Sequence, residues 1–156
     1  MSEAMKSLVA YHSRTGNTRI VAQEIARSLG ADLEEITVKG KRGGPLGYLK
    51  CGYESSRRIP APINAPSKDP SAYDILIVGG PIWSFTLSSP VRAYLSKCKA
   101  KKVAFFCTFG GMGSVKAFSE MSLLCGNAAA TMAVKENEIR DGSYKEKIKW
   151  FVKSVS

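Results

Sequence analysis

Histidine is almost missing from this chain: His12 is the only one, and the four cysteines, Cys51, Cys98, Cys107 and Cys125, form no C-x-x-C pair. That spacing excludes an ordinary Cys/His zinc site and a dithiol motif of the thioredoxin kind, so no metal and reduced thiols are expected. A Ser-His-Asp triad would have to use His12, which lies beside a polar loop rather than across a cleft from a nucleophile. No apolar run approaches the ~18 residues of a membrane-spanning helix. The N-terminus also lacks a basic region, an apolar stretch and a cleavage site in that order, so the expected location is cytoplasmic, with no membrane partner. Acidic residues are scarce too. Against 13 Asp and Glu stand 23 Lys and Arg, a net charge of +10. The basic residues concentrate in 39 to 58 and 97 to 102, with Lys145, Lys147, Lys149 and Lys153 near the end. Such an excess bears on partners rather than on fold. Nucleic acid is not the expected one, because no zinc-finger spacing, RNA-recognition motif or long basic helix accompanies the charge.

What is present is the material of one globular unit. A chain of 156 residues with 44% hydrophobic and 23% charged residues is near the globular average and can bury roughly 68–70% of its unfolded surface. Residues 1–156 are expected to form a single domain. Residues 7 to 11 read as a buried strand, followed by a helix on which Ile20, Val21, Ile25 and Leu29 recur at helical spacing. Residues 32 to 38 alternate imperfectly and read as a sheet-edge strand. Residues 39 to 72, with Gly40, Gly43, Gly44, Pro45, Pro60, Pro62, Pro66 and Pro70, are too long for a turn and imply an excursion. Within it, residues 46 to 55 can form a short helix carrying Leu46, Tyr48, Leu49 and Tyr53, placed to cover one side of a cleft or to make a dimer contact.

Strands are expected again at 73 to 79, 103 to 108 and 128 to 134, and helices at 89 to 97, 114 to 124 and 144 to 155. Pro90 suits a first helical turn. Ile148, Phe151, Val152 and Val155 give the last helix its apolar face. Five strands alternating with four or five helices argue for an α/β fold, a parallel sheet covered on both faces. In such a sheet ligands bind beyond the carboxyl ends of the strands, near the switch in strand order.

Three loops leave those ends. The first, after the first strand, contains Ser13, Arg14, Thr15, Gly16, Asn17 and Thr18. A helix N-terminus has N–H groups without intrahelical partners and the positive end of the dipole. A capping box would satisfy them, yet Ser13, Thr15 and Asn17 are followed three residues later by Gly16, Thr18 and Ile20, none of them Glu or Gln. The first acid of the helix is Glu24, while Arg14 and Arg19 flank the turn. An external anion such as a phosphate suits this arrangement, with Ser13, Thr15 and Thr18 supplying hydroxyls and Gly16 allowing close approach or a positive φ. The competing reading is an ordinary loop in which Thr15 or Asn17 caps the helix. The second loop, 80 to 89, holds Pro81, Ile82, Trp83, Ser84, Phe85 and Thr86, aromatics that a flat partner would cover. The third holds Thr108, Phe109, Gly110, Gly111, Met112 and Gly113, whose glycines let backbone amides reach a ring edge or simply serve the turn.

Together these segments resemble the flavodoxin-like family where it binds flavin mononucleotide (FMN), and the resemblance spans nearly the whole chain. Residues 13 to 18 match its Ser/Thr-x-Thr-Gly-x-Thr phosphate loop; 81 to 86 and 108 to 113 occupy its two isoalloxazine loops. The resemblance implies a three-layer sandwich with a five-stranded parallel sheet in the order 2-1-3-4-5. It also implies noncovalent FMN as cofactor, with Trp83, Phe85 or Phe109 against the ring and backbone amides bonding its edge. The expected role is an electron carrier serving a redox protein partner; the alternative, an FMN-dependent NAD(P)H oxidoreductase acting on quinones or other small acceptors, shares this apparatus. Flavodoxins are commonly acidic; a chain of +10 departs from them and suggests an acidic protein partner, or attraction to the phosphates of NAD(P)H. Either a monomer or a homodimer is compatible. Cys51 and Arg57 also satisfy the Cys-x5-Arg spacing of phosphatases, but Cys51 follows no convincing strand and Pro60 comes soon after Arg58, so the anion loop that lowers such a thiol's pKa is not indicated.

Overall fold

Strands form first where residues are apolar towards both faces. In the computed structural model, which describes residues 5–39, 49, 53, 62–83 and 86–156, β1 (Ser7–Tyr11) pairs in parallel with β3 (Ile75–Trp83), Val9 opposite Ile77. On its other side β3 pairs with β5 (Val103–Phe109), Val78 opposite Phe105. All of β1, residues 75–80 of β3 and residues 103–108 of β5 are buried. Strands covered on both faces have no polar side, which is why their sequences are nearly continuous apolar runs. β2 (Asp32–Glu35) lies beyond β1 and β6 (Thr131–Lys135) beyond β5, each with exposed residues at its ends.

The parallel order is β2-β1-β3-β5-β6. This is the expected 2-1-3-4-5 once the two-residue strand β4 (Thr86–Leu87), antiparallel to the end of β3, is set aside. On one face, α1 (Asn17–Leu29) and α5 (Tyr144–Val155) enclose Val9, Ile77 and Phe106 with Val21, Ile25, Ile148 and Phe151. On the other, α2 (Ser89–Lys97) and α3 (Ser114–Cys125) enclose Leu8, Leu76, Val78 and Phe105 with Val91, Leu95 and Met121. The α1 stripe differs in detail from expectation: Val21, Ala22, Ile25 and Ala26 are buried while Ile20 is exposed.

Boundaries differ as well: β3 begins at Ile75 rather than at residue 73 and β6 at Thr131 rather than at residue 128. β2 stops at Glu35 rather than at residue 38, and Val38 makes a single antiparallel bridge to Ile63. β3 runs through Gly80 and Pro81 to Trp83 instead of ending at residue 79. Gly80 pairs with Cys107 and Pro81 with Thr108, while β1 pairs no further than Gly79. Pro81 thus lies where β3 has become an edge on its β1 side, which tolerates a missing N–H. A short helix, α4 (Glu136–Asp141), follows β6 where no element was expected. Its acids Glu136 and Glu138 lie in the first turn, Arg140 in the last, and Gly142 closes it at φ 86°.

The excursion after β2 leaves and returns at one place. Lys39 N–H donates to Pro62 O at 2.8 Å and Asn64 N–H to Thr37 O at 2.9 Å. The buried Glu34 carboxylate accepts from Ser67 N–H, Ser67 Oγ and Lys68 N–H, fixing the returning strand of chain. Of the helix expected over 46–55, only Leu49 and Tyr53 are among the described residues; both are helical and exposed. Cys51 and Arg57, the phosphatase-like pair, lie outside them.

Packing along β3 requires glycine at two successive positions: a Cβ on Gly80 would stand 2.4 Å from Val91 Cγ2, and Gly79 is tighter still. A Cβ on Gly79 would stand 2.2 Å from Phe106 Cζ, its neighbour across β3 and β5. Because Phe106 is fully buried, the ring cannot step aside without displacing the core. Gly79→Ala should therefore lower the unfolding free energy by about 1–3 kcal/mol, the usual cost of overpacking, read as a lower urea midpoint at unchanged m-value.

Candidate functional site

The carboxyl ends of β1, β3 and β5 are adjacent in the sheet, so the three loops singled out from the sequence meet at one edge. His12 N–H donates to Gly79 O at 3.1 Å, tying the first loop to β3. The His12 Nδ1 atom lies 2.8 Å from Ile36 O; a carbonyl only accepts, so Nδ1 carries a proton. This orients the ring edge-on to Trp83, with centroids 5.5 Å apart and planes at 88°.

The start of α1 leaves its first amides without a side-chain cap. Gly16 is its N-cap at φ 103°, no side chain caps the helix, and the first turn holds no acid. A positive φ of that size costs any other L-residue about 1–2 kcal/mol. Ser13 Oγ accepts from Gly16 N–H at 3.1 Å, folding the loop back on itself, and Ile20 N–H to Gly16 O at 3.1 Å begins the helical ladder. N–H groups ahead of that bond have no intrahelical acceptor and face the loop. Ser13, Arg14 and Asn17 are half-buried around it and Thr15 is exposed. Neither Thr15 nor Asn17 acts as the cap. This donor set fits a phosphate ester.

Thr18, assigned to that loop, and the neighbouring Arg19 make bonds to other elements. Thr18 is buried, and its hydroxyl bonds the Thr108 hydroxyl at 2.7 Å, clamping the start of α1 to the end of β5. Arg19 pairs with Glu35 at 2.7 Å and reaches Tyr11 Oη at 3.4 Å. These hydrogen bonds, Tyr11 first and then Glu35, raise its pKa further above the ordinary arginine value. Its charge is thus shared with β2 rather than held at the turn.

The ring loops supply surfaces of two kinds. Pro81, Ile82 and Trp83 are half-buried on the extended end of β3, and β4 folds back on them with Ile82 opposite Leu87. Phe109 is half-buried at the end of β5, followed by exposed Gly110, Gly111 and Met112. Gly113 then caps α3 at φ 114°, again without a side-chain cap or a first-turn acid. Both α1 and α3 therefore point the positive ends of their dipoles at this edge. The Glu136 carboxylate approaches Gly110, 3.3 Å from where a Cβ would stand. Ser84 and Phe85 lie outside the described residues. Cys107 is sealed in β5, its thiol pushed up to about 12 by burial, and takes no part in the site. Among the described residues no group of His, Cys, Asp and Glu is placed to hold a metal, and no helix is long and apolar enough to cross a membrane.

Sequence reasoning missed the support beneath these loops. Thr86, assigned to the ring, is buried and donates to Glu120 Oε1 at 2.5 Å; Arg92 donates to the other oxygen, Oε2. This joins β4, α2 and α3. The signal was available: Arg92 sits within an otherwise apolar stretch of α2, and Glu120 is the only acid of α3. Charges in such positions are buried only when paired. Above the pair opens a cavity of about 930 Å³, walled by Phe109, Met112, Val115 and Leu123 with Arg92 and Glu120 at its base.

Residues 6–140 match the family model described as NADPH-dependent FMN reductase. No curated protein matches the chain. Among solved structures, it is similar to a Lactobacillus acidophilus flavoprotein in complex with FMN, at 20% identity over 90% of this chain and 99% of that one, with a TM-score of 0.71. A Bacteroides eggerthii flavoprotein shares 22% identity over 93% and 98% of the two chains, at 0.68. The two-electron reduced flavodoxin of Megasphaera elsdenii shares 19% over 96% and 99%, at 0.58. At these identities the likeness is one of fold, and it is the flavodoxin-like fold.

The buried pair generates a stability test. Glu120→Ala strips the carboxylate from Arg92, leaving a buried guanidinium without its anion, and should cost about 3–5 kcal/mol. Thermal or urea unfolding of the variant measures it; a loss under about 1 kcal/mol would show that the pair behaves as a surface ion pair.

Proposed function

Because the chain belongs to the NADPH-dependent FMN reductase family and is an FMN-binding, flavodoxin-like protein, we propose that it is an oxidoreductase that takes electrons from NADPH and passes them to a small acceptor such as a quinone. The observation that carries this reading is the cavity beside the Phe109 to Gly113 loop. A carrier needs only an exposed ring edge, whereas an enzyme needs room for a second flat molecule. Met112, Val115 and Leu123 give that room apolar walls, suited to a nicotinamide or quinone ring.

Bound FMN supplies a ring able to take electrons singly or in pairs. The chain's own residues do the rest. The N–H groups after Gly16, with Ser13, Thr15 and Asn17, hold the phosphate; Arg14 adds positive charge at the loop; Thr18 keeps the start of α1 registered against Thr108. Trp83 and Phe109 offer ring faces, with Ser84 and Phe85 assigned to the same loop, and Pro81 and Ile82 set the loop's direction. Backbone groups of Gly110, Gly111 and Gly113 approach without a Cβ. In this reading residues 1–156 act as one FMN-binding unit in the cytoplasm. A second reading, delivery of electrons to an acidic protein partner, is favoured by the net charge of +10.

Native-purified protein should show the near-ultraviolet and blue absorption bands of oxidised flavin. It should consume NADPH steadily when a quinone is added; reduction only by a partner protein would select the carrier. Colourless protein with no measurable affinity for FMN would overturn both. Gly16→Val, which forces a branched residue to positive φ, should weaken FMN binding by about 1–2 kcal/mol, a factor of roughly 5–30 by titration.

The charge makes a separate prediction. Positive potential favours the anionic reduced flavin, so the low-potential couple should be less negative than in acidic flavodoxins. Added salt should move it in the negative direction as that field is screened. Potentiometry at low and high ionic strength checks both signs.

A further inference from the structure

The chain that returns from the excursion runs beside the end of β2 and is tied to it twice. Asn64 N–H donates to Thr37 O at 2.9 Å and Asn64 Nδ2 to Thr37 Oγ1 at 2.8 Å, while Ser67 donates to the Glu34 carboxylate from both its N–H and its hydroxyl. A cavity of about 260 Å³ lies between residues 33–37 and 63–67, with Tyr94 of α2 completing its wall. Two side chains of that wall are only partly satisfied. Glu34 is 7% exposed and Tyr94 3%. All three donors to Glu34, Ser67 N–H, Ser67 Oγ and Lys68 N–H, reach the same oxygen, Oε2. Its other oxygen, Oε1, and the Tyr94 hydroxyl are buried with no hydrogen-bond partner.

Nor does any cation among the described residues pair with Glu34. Buried charges are normally paired and buried polar atoms normally bonded, so both groups call for a partner. The charge at this wall also has one sign. In a chain of net charge +10, the charged residues lining the cavity are Glu34 and Glu35 alone. Glu35 is already paired with Arg19, which leaves Glu34. Lys39 and Lys97 line a separate cavity, which Tyr94 also borders.

We propose that the cavity between β2 and residues 63–67 binds a small organic cation through a primary ammonium group, which donates to Glu34 Oε1 and to the Tyr94 hydroxyl oxygen. An ammonium has three N–H donors and no acceptor, so one atom supplies both missing hydrogen bonds and the missing counter-charge. Burial raises the Tyr94 pKa above the ordinary phenol value, so its hydroxyl is neutral and does not compete for the charge. A divalent metal ion would need about six oxygen ligands, and among the described residues no group of His, Cys, Asp and Glu is placed to hold one. The cavity is also larger than a single water, whose share of liquid is about 30 Å³. Leu33, Ile36 and Pro66 give it apolar wall for a short carbon chain behind the ammonium. None of these residues is assigned to the flavin, so the proposal does not rest on that reading.

The test titrates n-butylammonium chloride into the full chain at constant ionic strength. Tetramethylammonium chloride, a cation without N–H groups, and n-butanol, the same carbon chain without charge, serve as comparisons. Butylammonium alone should bind saturably by calorimetry, and amide resonances of residues 33–37 and 63–67 should move with it. Glu34→Gln, which keeps the shape and removes the charge, should weaken binding about tenfold or more, and Tyr94→Phe about threefold or more. Without ligand, Tyr94→Phe should unfold at a urea concentration no lower than the parent protein, because the hydroxyl it loses has no protein partner. Far-ultraviolet circular dichroism establishes that the variants are folded, and the Tyr94→Phe arms decide the matter if Glu34→Gln is not. Absence of saturable binding, equal binding of tetramethylammonium or n-butanol, undiminished affinity in folded Glu34→Gln or in Tyr94→Phe, or a lowered urea midpoint in Tyr94→Phe would each overturn the proposal.

Discussion

Two helices that begin without side-chain caps set the rest of this architecture. α1 starts at Gly16 and α3 at Gly113, each glycine at positive φ and each first turn free of acid. Amide groups left in this way need an acceptor, and a parallel sheet places both helix starts at the same edge as the ends of β1, β3 and β5. The loops are therefore not independent features. The Thr18–Thr108 bond locks the first to the third, and the His12 contacts lock the first to the second through Gly79 O and Trp83. In the proposed function, an anion at the first loop and a flat ring between the other two answer to this one geometry.

The layer beneath explains how such an edge stays in place. Polar side chains near a ligand loop are commonly solvated and mobile, but here Thr86, Arg92 and Glu120 are buried and joined across three elements. A buried ion pair contributes little net stability compared with apolar packing. Its effect lies in direction: a carboxylate with one oxygen held by Thr86 and the other by Arg92 fixes how α2, α3 and the β4 hairpin meet. The apolar cavity then has a polar floor at a fixed position.

The central layer was legible in the sequence because β1, β3 and β5 are buried on both faces, an environment that short, continuous apolar runs fit and a half-solvated strand does not. The lack of a capping box ahead of Ile20 likewise marked the start of α1, which no side chain caps. Where the reading stopped short, a local signal was overruled by partners distant in sequence. Gly80 and Pro81 look like a turn, yet β5 pairs with them and carries the strand on to Trp83. α4 is only six residues long, too short for apolar periodicity, although its acids, Arg140 and Gly142 mark a start and a stop. Thr18 reads as a hydroxyl for the loop; only the adjacency of β1, β3 and β5 reveals that it also bonds Thr108.

The bridge between Val38 and Ile63, with the flanking bonds from Lys39 to Pro62 and Asn64 to Thr37, closes the neck of a long insertion at the border of the sheet. The entropy of closing a loop grows only slowly with its length, about 0.6 kcal/mol for each doubling. The neck thus fixes where the chain departs from the sheet and where it rejoins, whatever number of residues lies between. Insertions or deletions there leave the pairing of the five parallel strands as it is.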